Sequence, residues 1–123
     1  MKTKTLLLFC LCAFCLTATC DPTDPPSNAQ NIHLMGSLDY NAGPNDVEAY
    51  VDGYSVYVVF HRSFGNVSIT LYDPFGLTLY SDVVDTTVQQ LVVIPITGNN
   101  EGIYTIVLEN ATGYSDGDFE RLH

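Results

Sequence analysis

From Ile32 onward, apolar residues alternate with polar ones in short runs that are separated by Gly, Asn, Asp or Pro. A period of two places successive side chains on opposite faces of an extended chain. No stretch of eight residues shows helical spacing, which argues against a parallel sheet built from βαβ units. The pattern predicts an all-β, antiparallel sandwich of about seven to eight strands. The runs are Ile32–Leu38, Val47–Val51, Tyr54–His61, Val67–Tyr72, Leu77–Ser81, Gln90–Ile96, Ile103–Glu109 and Tyr114–Phe119.

Two turn motifs set the pairing of neighbouring strands. In Val51-Asp52-Gly53-Tyr54, Asp-Gly suits the positive φ angles of a two-residue type I′ turn, so Val51 is predicted to pair with Tyr54. In Asp73-Pro74-Phe75-Gly76, Pro at the second and Gly at the fourth position favour a type I turn. The first hairpin would direct one face to the core: Val47, Ala49, Val51, Val56, Val58 and Phe60. Its other face would carry Glu48, Tyr50, Ser55, Tyr57, Val59 and His61.

A third motif narrows the type of sandwich. In Asn100-Glu101-Gly102-Ile103-Tyr104-Thr105-Ile106, Tyr104 lies just inside a strand and two residues before an apolar position. This arrangement resembles the tyrosine corner of immunoglobulin-type sandwiches, with Ile106 where antibody domains have a cysteine. The predicted fold is therefore an immunoglobulin-like β-sandwich that lacks the Trp and the cysteine pair of antibody domains.

The first twenty residues have the pattern of a secretory signal peptide. Lys2 and Lys4 precede an apolar run, Leu6–Leu16, which is too short to span a membrane as a helix and is followed by small residues. The segment 21–31 contains three prolines and no periodic pattern, which is typical of a flexible spacer. The predicted organisation is a signal peptide at 1–20, a spacer at 21–31 and the sandwich at 32–123.

Cys20 leaves two modes of export open. It follows Thr17-Ala18-Thr19, an imperfect copy of the box that precedes the lipidated cysteine of bacterial lipoproteins, and ordinary cleavage beside it is the alternative. The other three cysteines, Cys10, Cys12 and Cys15, lie within the signal, so no internal disulfide is expected. The protein is predicted to be periplasmic, associated with the outer membrane or secreted, with a lipid anchor on Cys20 as one option.

The charge excludes whole classes of ligand. The chain has 4 Lys and Arg against 14 Asp and Glu, and both lysines lie in the predicted signal. After cleavage, Arg62 and Arg121 would be the only Lys or Arg side chains. Such a surface cannot neutralise phosphates, so nucleic acid and anionic lipid are excluded as ligands.

One sequence pattern could indicate a catalytic serine and another could indicate calcium ligands, and each also has a structural explanation. Gly113-Tyr114-Ser115-Asp116-Gly117 matches G-x-S-x-G, but too few residues follow it for the helix of a nucleophile elbow, and a turn between two strands is favoured. Asp116, Asp118 and Glu120 alternate, so they would project from one face as weak candidate calcium ligands. Carboxylates spaced along a strand do not converge, which favours a solvated acidic edge. No metal site, no cofactor and no catalytic residue is predicted.

Tyr50, Tyr54 and Tyr57 are the candidate binding residues. Tyr50 and Tyr57 are expected as diagonal neighbours on the outer face of the first hairpin, with Tyr54 at its tip. Exposed tyrosines offer rigid amphipathic area to a protein or a neutral glycan. Ordinary cross-strand stabilisation is the simpler explanation, and the lack of Trp counts against a carbohydrate platform.

Several ordered segments also support a family resemblance: Met35-Gly36-Ser37-Leu38, Glu48-Ala49-Tyr50, Tyr57-Val58-Val59-Phe60, Asn66–Tyr72 with the turn at Asp73–Gly76, Gly102–Ile106 and Gly117-Asp118-Phe119. Together they resemble the small secreted immunoglobulin-like proteins of Bacteroidetes that are classed as a domain of unknown function. The Asp-x-x-Gly and Gly-x-Tyr pattern is also similar to the C-terminal sorting domains of type IX secretion, although this chain ends without their basic tail and carries no passenger. The resemblance implies a sandwich and export, with no assigned activity.

The predicted function is that of an exported, non-catalytic module that binds a protein or a neutral glycan in the cell envelope. One alternative is a structural accessory subunit of an envelope complex. The other is a hydrolase that uses Ser115.

Overall fold

The chain folds as a sandwich of two antiparallel sheets in a computed structural model that describes residues 29–43 and 45–122. In these residues, a four-stranded sheet has the order β1-β3-β4-β7 and a five-stranded sheet has the order β2-β9-β8-β5-β6. The strands are β1 (Gln30–Ile32), β2 (Met35–Ser37), β3 (Val47–Asp52), β4 (Ser55–Phe60), β5 (Asn66–Tyr72), β6 (Thr78–Asp85), β7 (Leu91–Pro95), β8 (Gly102–Glu109) and β9 (Tyr114–Arg121). The predicted antiparallel all-β fold is confirmed. None of the described residues forms a helix that could cross a membrane.

The first predicted strand, Ile32–Leu38, is in fact two strands that belong to different sheets. β1 pairs with β3 in the four-stranded sheet, and β2 pairs with β9 in the five-stranded sheet. At Gly36 the backbone has φ 90° and a Cβ would lie 2.4 Å from the Tyr114 carbonyl oxygen, so only glycine fits there. This switch accounts for the ninth strand. β1 also begins at Gln30, two residues before the predicted domain boundary.

The first hairpin has the predicted faces but a different turn. The two loop residues are Gly53 and Tyr54, and Val51 pairs with Val56 rather than with Tyr54. Gly53 has φ 62°, as the first position of a type I′ or II′ turn requires. The pairing therefore differs from the prediction by two residues, and a shift of two leaves every side chain on its face. All six residues predicted for the core are confirmed as buried or half-buried against it.

The core lies between the sheets and includes the tyrosine corner. The Tyr104 ring is fully buried and stacks on Phe119, with ring centroids 5.4 Å apart. Its hydroxyl donates a hydrogen bond of 2.6 Å to the backbone carbonyl of Asn100, which confirms the predicted corner. The core residues are Ile32, Leu38, Ala49, Val51, Val56, Val58, Phe60, Phe64, Val67, Ile69, Leu71, Val84, Val92, Ile94, Ile96, Tyr104, Ile106, Leu108 and Phe119.

The turn between β5 and β6 is held by a buried carboxylate. Asp73 Oδ1 accepts hydrogen bonds of 2.9 Å from the N–H groups of Phe75 and Leu77, and Oδ2 accepts one of 2.9 Å from Asn100 Nδ2. Burial works to raise the pKa of Asp73, but the hydrogen bonds outweigh it and the pKa lies below its ordinary value. The Gly76 N–H donates to the Asp73 carbonyl across the predicted turn, which is therefore confirmed. β6 continues to Asp85, four residues beyond the predicted end.

Candidate functional site

The outer surface of the four-stranded sheet is apolar along its centre, and we call it the aromatic face. Antiparallel pairing aligns Asn31, Tyr50, Tyr57 and Val93 in one row across all four strands. The rings of Tyr50 and Tyr57 are stacked, with centroids 4.9 Å apart and planes 9° apart. Val93 continues the row onto β7 and is 48% exposed. The aromatic face therefore consists of Tyr50, Tyr57, Val59, Leu91 and Val93.

Exposure on the aromatic face differs from the sequence-based prediction. Tyr50 is only 6% exposed and lies directly opposite Tyr57, not diagonal to it, while Tyr57 is half-buried. Burial, together with Tyr57 and the nearby Asp52 and Glu48 carboxylates, raises the pKa of the Tyr50 phenol above its usual value. Tyr50 thus packs against the Tyr57 ring and presents little accessible surface of its own. The accessible part of this face lies toward Val93, which the sequence analysis did not select.

Tyr54 stands apart from this stack at the tip of the β3–β4 hairpin. It is 72% exposed and lies in the two-residue loop, where the prediction had placed it at the start of a strand. The Arg121 guanidinium lies over the Tyr54 ring, 5.2 Å from its centroid, and Arg121 Nη1 donates a 2.8 Å hydrogen bond to the Gly53 carbonyl. The end of β9 therefore anchors the hairpin tip, and one face of the Tyr54 ring is already occupied.

Carboxylates flank the aromatic face at the two ends of β3, at Glu48 and Asp52. Glu48, Val59 and Leu91 form the row on one side of the tyrosine row, and Asp52, Ser55 and Pro95 form the row on the other. The Glu48 Oε1 atom lies 3.6 Å from His61 Nε2. The surface is thus an apolar strip with one carboxylate on each side of Tyr50 along β3.

Ser115 is not a nucleophile in an exposed turn. It lies within β9, it is buried, and its hydroxyl donates a 3.0 Å hydrogen bond to the Met35 carbonyl in the neighbouring strand β2. Only residues 110–113 form the turn, so the predicted turn at 113–117 is wrong beyond Gly113. The G-x-S-x-G match therefore reflects strand pairing: Ser115 helps hold β2 on the sheet.

A cleft of about 800 Å³ opens between the segment 31–38 and the loop 39–46. The loop is fastened to Arg62, whose guanidinium contacts Asp39 at 2.7 Å and Asp46 at 3.1 Å and lies over the Phe64 ring. The hydrogen bond from Arg62 lowers the pKa of Asp39, and bonds from the Gly43 N–H and Arg62 lower that of Asp46. These contacts hold the shape of the loop. The cleft lining includes Ser115, whose hydroxyl is engaged as described above.

The three alternating carboxylates do not converge. Asp116, Asp118 and Glu120 lie on the outer side of β9, opposite Val107, Thr105 and Ile103 respectively. Thr105 Oγ1 donates a 2.8 Å hydrogen bond to Asp118. Among the described residues, no three or more His, Cys, Asp or Glu side chains lie close enough together to hold a metal ion. These three residues thus act as a polar strand surface, and Cys20, the lipidation candidate, lies outside the described residues.

Comparison with known proteins identifies relatives without assigning an activity. Residues 32–121 match the family model described as "Domain of unknown function (DUF3244)". A search of curated proteins found no match. The chain is also similar to a DUF3244 family protein from Bacteroides vulgatus ATCC 8482, whose crystal structure at 1.70 Å resolution is described as an immunoglobulin-like β-sandwich. The two are 18% identical with a TM-score of 0.66, and the match covers 76% of this chain and 99% of that one.

Proposed function

Because the chain belongs to the DUF3244 family and folds as an immunoglobulin-like β-sandwich, we propose that it is a non-catalytic recognition module, exported to the cell envelope, that binds a protein partner. The observation that carries the proposal is the aromatic face. There a stacked tyrosine pair leads to the exposed side chain of Val93 instead of to a polar solvent-facing row. Apolar strips with a polar rim are typical of interaction surfaces on small domains.

The acidity of the chain indicates the chemistry of the partner. Of the two arginines that follow the predicted signal, Arg62 is bound to two carboxylates and Arg121 is packed on Tyr54. The formal net charge of −10 therefore gives a field that attracts basic surfaces and repels acidic ones. We accordingly assign the aromatic face to a partner with Lys or Arg around an apolar centre.

A neutral glycan is the second candidate, and the ring geometry makes it the weaker one. Sugar rings stack on open aromatic faces, but Tyr50 and Tyr57 already cover one face of each other. Arg121 lies over the Tyr54 ring in the same way. A protein side chain can instead contact ring edges and Val93, so the arrangement favours a protein partner.

The binding test uses the full chain with a C-terminal tag, expressed in its native host and cross-linked in living cells. The double variant Tyr57→Ser with Val93→Ser should reduce recovery of cross-linked protein partners at least about tenfold, since central apolar contacts dominate interfaces. The matched control, Thr70→Ser with Val107→Ser on the outer side of the five-stranded sheet, should leave recovery unchanged. Undiminished recovery from the folded double variant would refute the assignment. Binding of a neutral glycan array that competes with the partner would favour the second candidate.

Export is tested separately by the mass of the protein recovered from the envelope fraction. Residues 1–19 or 1–20 should be missing, because the run Leu6–Leu16 behind Lys2 and Lys4 has the pattern of a cleaved signal. A diacylglycerol adduct on Cys20 would identify the lipoprotein route. An intact Met1 in the envelope would contradict export by cleavage.

A further inference from the structure

Strand β7 ends the four-stranded sheet with its outer edge open. It pairs with β4 alone, and among the described residues no strand lies on its other side. Ile96 donates its N–H to the Tyr54 carbonyl and Phe60 donates its N–H to the Gln90 carbonyl. Since antiparallel pairs alternate, the even-numbered residues of this segment bond to β4 and the odd-numbered ones point outward. The outward backbone groups are the N–H and C=O of Leu91 and Val93 and the C=O of Pro95, which has no N–H, and we call this the β7 edge.

The β7 edge lacks the charged side chains that protect the other long edge, and Pro95 at its end is the outward residue that cannot donate a hydrogen bond. At β6, the Asp82 carboxylate accepts a 2.8 Å hydrogen bond from the Val83 N–H, and Asp85 Oδ1 binds the Thr87 N–H. Charged side chains and capped N–H groups of this kind discourage strand addition. By contrast, the segment 86–100, which contains β7, has no charged residue, although the chain as a whole is acidic. The one side-chain contact at the β7 edge is a long 3.4 Å bond from Gln89 to the Leu91 carbonyl.

We propose that the β7 edge binds an extended segment of the basic partner as an added fifth strand of the four-stranded sheet. A strand added there would continue the row of Tyr50, Tyr57 and Val93, so its central residue would be apolar. Its flanking residues would lie beside Leu91 and Pro95, which carry no charge, so the net charge of −10 is what favours Lys or Arg in the added segment. Backbone bonds would give affinity and the alternate side chains specificity. The inference rests on the proposed function, because it specifies the partner of the same face.

A second copy of this chain is a poorer occupant of the edge. Two copies would bring together two molecules of net charge −10, which repel each other. A segment that carries Lys or Arg is instead attracted by the negative charge of the chain. The charge therefore selects a different protein over self-association.

The test uses the full chain and a fluorescein-labelled nonapeptide that alternates Thr and Val and has Lys at both ends. Its matched controls are the same peptide with Glu at both ends and one with Pro at the centre. We expect the Lys peptide to bind at least tenfold more tightly than either control and to slow hydrogen exchange of the Val93 amide. No binding of the Lys peptide, or equal binding of all three, would overturn the inference.

Paired substitutions at the two edges locate the binding. Val93→Pro removes an outward N–H that makes no bond to β4, and we expect at least a tenfold loss of Lys-peptide affinity. Val83→Pro makes the same change at the β6 edge and should alter affinity less than twofold. Should either proline variant fail to fold, Val93→Lys and Val83→Lys take their place. Val93→Lys should weaken binding at least fivefold by charge repulsion, and an effect equal to that of Val83→Lys would overturn the inference.

Two further outcomes separate this inference from the proposed function. If cross-linked partners are lost with the Tyr57→Ser and Val93→Ser double variant but retained with Val93→Pro, the aromatic face binds and strand addition is refuted. If sedimentation shows a dimer that Val93→Pro dissociates, the occupant is a second copy and the inference is also refuted. Loss of both partner and peptide with Val93→Pro supports it.

Discussion

The two sheets of the sandwich cover the same core but carry different side chains on their outer faces. The five-stranded sheet presents hydroxyls and carboxylates, among them Thr70, Thr105 and Asp118, and the last two are hydrogen bonded to each other. Single exposed apolar residues, Val83 and Ile103, lie between these polar groups. The four-stranded sheet presents the stacked pair Tyr50–Tyr57 and Val93. Both sheets bury the same kind of aliphatic residue inward. The inward residues therefore stabilise the fold, and the difference between the outer faces is the better guide to function.

The largest test of that division compares an inward with an outward residue on one central strand. Ile69 is fully buried in β5, so Ile69→Ala should lower the free energy of unfolding by about 2–5 kcal/mol through lost contacts and a cavity. Its neighbour Thr70 faces outward, and Thr70→Ala should cost less than about 1 kcal/mol. Urea denaturation measures both. Equal losses would mean that the inner and outer sides have been misassigned.

The second test compares the two outer faces directly. Tyr50→Ala removes a buried ring and its stacking on Tyr57, and we expect a loss of about 2 kcal/mol in unfolding free energy. Thr105→Ala on the other outer face should lose less than about 1 kcal/mol, since an exposed cross-strand hydrogen bond contributes little. If the Tyr50 variant is as stable as the Thr105 variant, the stack does not distinguish the two faces.

A third test compares a tyrosine that faces the core with one that faces outward. Tyr104→Phe keeps the buried ring but removes its hydrogen bond to the Asn100 carbonyl, at an expected cost of about 0.5–1.5 kcal/mol. Tyr114 is half exposed on the outer side of β9, and Tyr114→Phe should change stability by less than about 0.5 kcal/mol. Thermal denaturation of the two variants gives the comparison. Unchanged stability in Tyr104→Phe would show that the corner bond contributes nothing.

The smallest expected effect is a pH dependence of stability that arises in the loops between the strands. The lowered pKa of Asp73 means that its carboxylate stabilises the fold above the ordinary pKa of 3.8, and that this stabilisation is lost as the pH falls through the lowered value. Asp39 and Asp46 contribute in the same direction. Urea midpoints should therefore fall below about pH 4. Asp73→Asn should flatten part of that decline, and an unchanged profile would contradict the role of Asp73.

The sequence was most informative where a constraint is local. Asp-Gly and the period of two predicted the inward set of the first hairpin correctly although the pairing differed by two residues, because faces depend only on parity. The tyrosine corner depends on five consecutive residues, Asn100 to Tyr104, and was likewise predictable. By contrast, the division of Ile32–Leu38 into β1 and β2 depends on their partners β3 and β9, which are distant in sequence.

The candidate site was harder to predict than the fold. The exposure of Tyr50 depends on its neighbours in β1 and β4, so alternation alone placed it on the outer side but could not show that it is buried. Val93 lies in a run that also predicts an interior strand, and only the strand order shows β7 to be an edge. The sequence feature that could have identified β7 was the lack of charged residues in 86–100, because edge strands usually carry charged side chains.

The pairing of β2 with β9 has a consequence for the timing of folding. Ser115 and Met35 are hydrogen bonded across 80 residues of sequence, and contacts of such high order form slowly because a long loop must close first. The last strand of the domain to be synthesised is thus the one on which β2 must dock. β2 would remain unpaired until β9 is available, whereas β1 can pair earlier with β3. If the chain is exported as proposed, such a delay would keep the five-stranded sheet incomplete until synthesis of β9 has ended.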